Sequence, residues 1–159
     1  MILKAGGNES AIPKEFSRHL RPLGWVESQF TARVMVNDDE LIRSETHRID
    51  YIKGRVAFDL EWNSKDQTFD RDLYAFRGFF EYNKISVGVL VTRSTSLHSY
   101  FSTLGEVTDA HGVIREVKAK YGASTTHMTK LIPRLIEGRS GGCPVLALGI
   151  RSSLIDKTG

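Results

Sequence analysis

The 159-residue sequence predicts an α/β domain with a mixed central β-sheet flanked by helices, and three observations carry that prediction. Residues 49–62 read as two strands joined by a tight turn. Residues 68–82 follow with one apolar stripe at helical spacing. Residues 86–92 (SVGVLVT) are then nearly all apolar, as in a strand buried on both faces. A helix crossing between two strands makes them parallel neighbours through a right-handed connection.

Each element has its own local cause. Residues 10–20 read as a short helix, with Ser10 as N-cap and Pro13 in the first turn, ended by Pro22 and Gly24. Residues 31–36 (TARVMV) are β-branched and strand-like, Asn37-Asp38-Asp39 is turn material, and 41–48 is a second extended stretch. Lys53-Gly54 turns the central hairpin. In its second strand Phe58, Leu60 and Trp62 point one way, and Asp59, Glu61 and Asn63 the other. Phe69, Leu73, Phe76 and Phe80 make the helical stripe, and Asp70 and Asp72 suit the positive helix end. Ser94-Thr95-Ser96, Ser99 and Ser102 read as loop or cap residues, and 110–121 as a helix. Met128, Leu131, Ile132, Leu135 and Ile136 have helical spacing despite Pro133, and 145–150 (VLALGI) closes as another buried strand.

Composition narrows the function classes. Forty per cent hydrophobic and 26% charged residues suit an ordinary globular protein. No apolar run approaches the ~18 residues of a membrane span, and the N-terminus lacks a signal-peptide core. With no repeats or linkers, one domain over residues 1–159 is expected. The single cysteine, Cys143, excludes an intramolecular disulfide and a cysteine zinc site, and suits the cytoplasm. The five histidines (His19, His47, His98, His111, His127) show no paired ligand spacing. The net charge of +3 is unevenly spread. Residues 115–159 hold eight Lys/Arg against three acids, a balance of +5, which leaves −2 for the rest. That asymmetry suits a cation site in one region and a polyanion surface in another, or simply a solvated basic face.

The informative cluster is acidic. Asp59 and Glu61 lie two apart on one strand, so they share a face, and the hairpin brings Asp50 close to them. Such carboxylates repel unless a cation sits among them, and hard oxygen donors suit Mg²⁺ with its retained waters. The alternative is a solvated sheet face balanced by Lys53, Arg55 and Lys65. The apolar neighbours Phe58, Leu60 and Trp62 argue for a central strand, where acids are rare.

Asp50, the nine-residue step and Asp59-Leu60-Glu61-Trp62-Asn63 running into a helix resemble the metal site of the PD-(D/E)xK nuclease fold. The resemblance is closest to the BglII and BamHI group of type II restriction endonucleases, where Gln or Glu replaces the motif's final lysine, as Glu61 does here. Gly6-Gly7-Asn8-Glu9, entering the first helix, is similar to the corresponding segment of that group, and the likeness covers roughly residues 6–93.

This resemblance implies a restriction-endonuclease-like fold, with Asp50 and Asp59 as magnesium ligands (Asp59 stands where Glu is usual). Glu61 then falls where a residue positions or activates the attacking water. Lys65 is the only local candidate for the missing lysine, and Glu9 and Glu27 are possible supporting acids. The implied function is Mg²⁺-dependent hydrolysis of double-stranded DNA by a restriction enzyme, acting as a homodimer on a palindromic site. The alternatives are a repair or RNA nuclease of the same fold, or a catalytically silent DNA-binding module. Arg93, at the end of the buried strand, and Lys118, Lys120 and Lys130, in the basic rear, are the candidate DNA contacts. Arg71 and Arg77 read as solvent or ion-pair residues.

Overall fold

Ala11–Leu20 forms α1 in the computed structural model, which describes residues 11–36, 39–108, 112–122 and 124–154. The predicted cap Ser10, the segment Gly6-Gly7-Asn8-Glu9 and His111 lie outside those residues. A 3-10 turn, Arg21–Leu23, leads out of α1 to Gly24, whose φ of +86° is open to glycine at no Cβ penalty. Strands β1 (Val26–Ser28), β2 (Thr31–Val36), β3 (Asp39–Glu45), β4 (Ile49–Lys53) and β5 (Val56–Glu61) follow. Next come α2 (Thr68–Glu81), β6 (Val87–Arg93), α3 (Ser96–Ser102), β7 (Glu106–Thr108), β8 (Ile114–Glu116), α4 (Val117–Lys120), α5 (Met128–Ile136) and β9 (Val145–Ile150).

Five strands join in the order β1-β4-β5-β6-β9, and β2-β3 and β7-β8 form separate two-stranded ribbons. The predicted hairpin pairs β4 with β5 antiparallel. α2 crosses over so that β5 and β6 run parallel, and β9 adds parallel to β6. The chain is therefore α/β with a mixed sheet, as the sequence predicts.

Pairing in the parallel ladder sets the two faces of the sheet. Ala57 lies beside Gly88, Asp59 beside Leu90 and Glu61 beside Thr92, so the acids share the face that α2 covers. Phe69, Leu73, Phe76 and Phe79 of α2 pack there with Ile49, Ala57 and Leu90. The fourth residue of the helical stripe is thus Phe79, while Phe80 only flanks the core. On the opposite face Phe58 meets Phe16 and Trp25, and Trp62 packs with Leu97, Phe101, Val117 and Tyr121.

Three expectations are corrected. Among the described residues of the helix expected over 110–121, only α4 is helical. Within that stretch, Gly112 takes φ +79° and residues 114–116 form β8 against β7, where the β-branched Val113-Ile114 favour extension. Of the expected loop or cap residues, Ser96, Ser99 and Ser102 lie within α3, whose Leu97 and Phe101 are buried. Finally, β9 is not buried on both faces. It lies at the sheet edge, with Leu146 52% and Leu148 44% exposed. No helix among the described residues is long and apolar enough to cross a membrane.

Candidate active site

The acids of β5 are carried into the protein by the strand's alternation. Asp59 is 3% exposed and Glu61 6% exposed, at the end of β5 where it leaves the core beneath the start of α2. Tyr51 pairs with Phe58, so continuing the register sets Asp50 opposite Asp59. The backbone N–H of Asp50 donates to Asp59 Oδ1 at 2.7 Å. Asp50 itself reaches solvent at the mouth of the cluster.

A fourth carboxylate comes from α2. Asp72, expected to serve the helix end, is instead buried at the cluster. Arg71, its neighbour on α2, bonds Asp72 Oδ1 through Nη2 at 3.1 Å and Nε at 3.2 Å, and reaches Glu61 Oε1 at 3.4 Å. One guanidinium therefore faces a crowd of acids. Asp59 Oδ2, Glu61 Oε2 and Asp72 Oδ2 are buried and find no donor.

The carboxyls of the cluster hold their protons to higher pH, through burial first and like-charge crowding second. Burial raises the Asp59 carboxyl to about 8, with help from the charges of Asp50 and Glu61 and against the pull of the Asp50 N–H. Burial, then Asp59 and Glu61, raises Asp72 to about 9. Lost hydration, then Glu61 and Glu27, raises Asp50 as well. A cation would relieve all three. Among the described residues, no group of three or more His, Cys, Asp or Glu side chains is arranged to hold a metal ion. The donors are nevertheless hard oxygens, and a hydrated divalent ion needs only one or two direct carboxylate bonds. The residues present fit such an ion.

The other candidates are distributed differently. Glu27 lies on β1 beside the Asp50 strand and pairs with Arg48 at 3.0 Å. Lys65 stands beyond the end of β5, exposed, where it bridges to Thr125 through the backbone, off the pleat that carries Asp59 and Glu61. Lys118 pairs with Glu116 at 3.2 Å, Lys120 lies over the Tyr121 ring at 5.5 Å, and Lys130 reaches Asp66 at 3.6 Å. Arg93 is buried beside the stacked rings of Phe101 and Tyr121, on the sheet face opposite Glu61. Glu9 lies outside the described residues.

Sequence reasoning missed Asp72 and the role of Arg71. The spacing of Asp72, three after Phe69 and four before Phe76, puts it on the buried side of the helix and could have found it, whereas Arg71 lies off that side and carries no such signal. His47, which has no ligand partner at a recognisable spacing, stands where Glu61 and Arg71 act on it. Burial and then Arg71 hold its pKa below the ordinary value.

A family model described as restriction endonuclease BglII/BglIII matches residues 1–150 of the chain. No curated protein sequence matches it.

Proposed function

The chain belongs to the BglII/BglIII family of restriction endonucleases, and on that premise we propose that it is a Mg²⁺-dependent, site-specific deoxyribonuclease working through Asp50, Asp59 and Glu61. The observation that carries the proposal is the state of Asp59, with one oxygen pinned by the Asp50 N–H and the other buried without a donor. Members of this family generally use a divalent metal and act on DNA. Such an ion, when bound, supplies positive charge to the phosphate and lowers the pKa of its water.

The chain's own residues divide the remaining work. The Asp50 N–H stops the Asp59 carboxylate from swinging and leaves Oδ2 for the ion, and Asp50 offers a second carboxylate from the mouth. Glu61 Oε1 is held by Arg71, which leaves Oε2 as the acceptor that orients the attacking water and takes its proton. Asp72 fixes Arg71 in place. Glu27 adds negative charge at the edge, and Lys65, being exposed, serves as a phosphate contact in this proposal rather than in activating the water. Lys118, Lys120 and Lys130 supply backbone contacts to double-stranded DNA. The free edge of β9, with its exposed leucines, supports pairing of two copies across a two-fold axis, as a palindromic site requires. A DNA substrate and the lone buried Cys143 accord with a cytoplasmic setting.

Plasmid DNA incubated with the protein in Mg²⁺ or in EDTA, then run on agarose, tests this function. Discrete fragments in Mg²⁺ alone are expected. Intact DNA in both would sink the nuclease assignment, and a smear would replace site specificity with general cleavage.

A further inference from the structure

A cavity of about 360 Å³ opens between the end of β6, the start of α3 and the start of α5. It is distinct from the acidic cluster. Thr92 pairs with Glu61 and shares its face, so Arg93, the next residue, points to the other side of the sheet. The cavity also lies past the carboxyl end of a parallel strand, where α/β sheets place ligands.

Its lining joins the cations of Arg93 and Lys130 to further hydrogen-bond donors. Arg93, His98, His127 and Lys130 line it with the hydroxyls of Thr95 and Thr129, and no acid is among the lining residues. Arg93 is 2% exposed. Its Nε donates to the Thr126 carbonyl at 3.0 Å and its Nη2 to Thr125 Oγ1. The guanidinium sits 5.1 Å from the Tyr121 ring and 5.7 Å from the Phe101 ring. Those partners hold the cation but bring no formal negative charge, and among the described residues no carboxylate is seen to pair with Arg93. Burying a charge without a counter-charge is costly. Asp66 lies 3.6 Å from Lys130 and is shared with Arg134 at 4.0 Å. Burial and the charges of Arg93, His98 and Lys130 accordingly hold His127 below its ordinary pKa, outweighing Asp66.

We propose that this cavity is a phosphate site, filled by a backbone phosphate of the bound DNA away from the bond that is cut. Guanidinium, ammonium, imidazole and hydroxyl donors converge on one acid-free space, and a phosphate group has enough acceptor oxygens to meet them. The phosphate chemistry rests on the cavity alone, and the DNA source rests on the restriction-endonuclease reading.

The test uses the full chain in EDTA. Thermal melting is followed against inorganic phosphate and against chloride at matched ionic strength. Phosphate should stabilise the protein saturably, and Lys130→Gln and His127→Gln should each raise the half-saturating concentration about tenfold. The His127 imidazole, followed by NMR, should titrate at higher pH when phosphate is present. A response no larger than that to chloride would overturn the site and leave Arg93 as a structural cation held by rings. Fluorescence anisotropy with duplex DNA then identifies the source, with affinity falling about tenfold in the same variants and phosphate competing with DNA. A phosphate response without any change in DNA affinity would overturn the DNA source in favour of a free phosphate compound. No part of this readout needs cleavage, so an inactive protein that still binds phosphate would count against the nuclease reading alone.

Discussion

Asp59 shows how one residue can be costly to the fold and central to the site. In the unfolded chain its carboxyl ionises near 3.8, and in the folded, metal-free protein only near 8. Asp72 behaves likewise, with a folded value of about 9. Between these limits the unfolded chain has released protons that the folded chain still holds. Stability therefore falls as pH rises from about 4 to about 8 and levels off above about 9. Melting curves in EDTA from pH 5 to 9 should show that decline. Asp59→Asn should flatten it and raise the melting temperature at the alkaline end, while abolishing Mg²⁺-dependent cleavage. Asp50→Asn should abolish cleavage too, with the fold intact. Unfolding of either variant would make the acids structural. Arg71 is the counterpart, a guanidinium bonded to both Glu61 and Asp72. Arg71→Gln should cost about 1–2 kcal/mol at pH 8 and less at pH 5, where more carboxyls are neutral, as read from urea denaturation.

At the scale of elements, the site depends on how closely α2 lies on the sheet. Gly88 of β6 touches the buried ring of Phe76, and a Cβ there would stand 2.4 Å from Phe76 Cδ2. Neither the strand nor the buried ring can move aside without disturbing the core. Gly88→Ala should therefore destabilise the protein by about 1–3 kcal/mol in urea denaturation. Phe76→Leu should recover part of that loss when combined with it, because the two residues share one contact. A Gly88→Ala variant as stable as the parent would show that α2 rides higher on the sheet. Since Asp72 and Arg71 travel with α2, the single variant should also lose cleavage activity beyond its loss of stability.

At the scale of the whole molecule, charge is less segregated in space than along the chain. The basic rear half packs α5 against α2, where Arg134 bonds Asp70 at 3.0 Å, Arg139 reaches Asp70 at 2.6 Å and Lys130 reaches Asp66 at 3.6 Å. Much of the +5 balance thus neutralises front-half acids. What remains for DNA is narrower than the count suggests. Replacing Lys118, Lys120 and Lys130 together with Gln should flatten the log–log salt dependence of DNA binding by up to ~3 units, by fluorescence anisotropy in the Asp59→Asn background. An unchanged slope would move the DNA surface to the loops around Lys65.

Much was legible in the sequence because its cause is local. The turn at Lys53-Gly54, the period-two alternation of Phe58 to Asn63 and the four-three spacing after Phe69 each depend on neighbours a few residues away. Asp50, Asp59 and Glu61 fall into one group on sequence grounds because a hairpin fixes its own register. The sequence also determined the parallel step from β5 to β6, since a helical crossover has one favoured hand. Tertiary structure alone decided the rest. An apolar run such as VLALGI reads the same at a sheet edge as at its centre, and only strand order left Leu146 and Leu148 exposed. Asp72 became a site residue, and Arg93 a buried one, through packing against segments distant in sequence. Periodicity reports which side of an element is apolar, whereas the partner that covers that side is a long-range fact, set by how the whole chain excludes water and balances its buried charge.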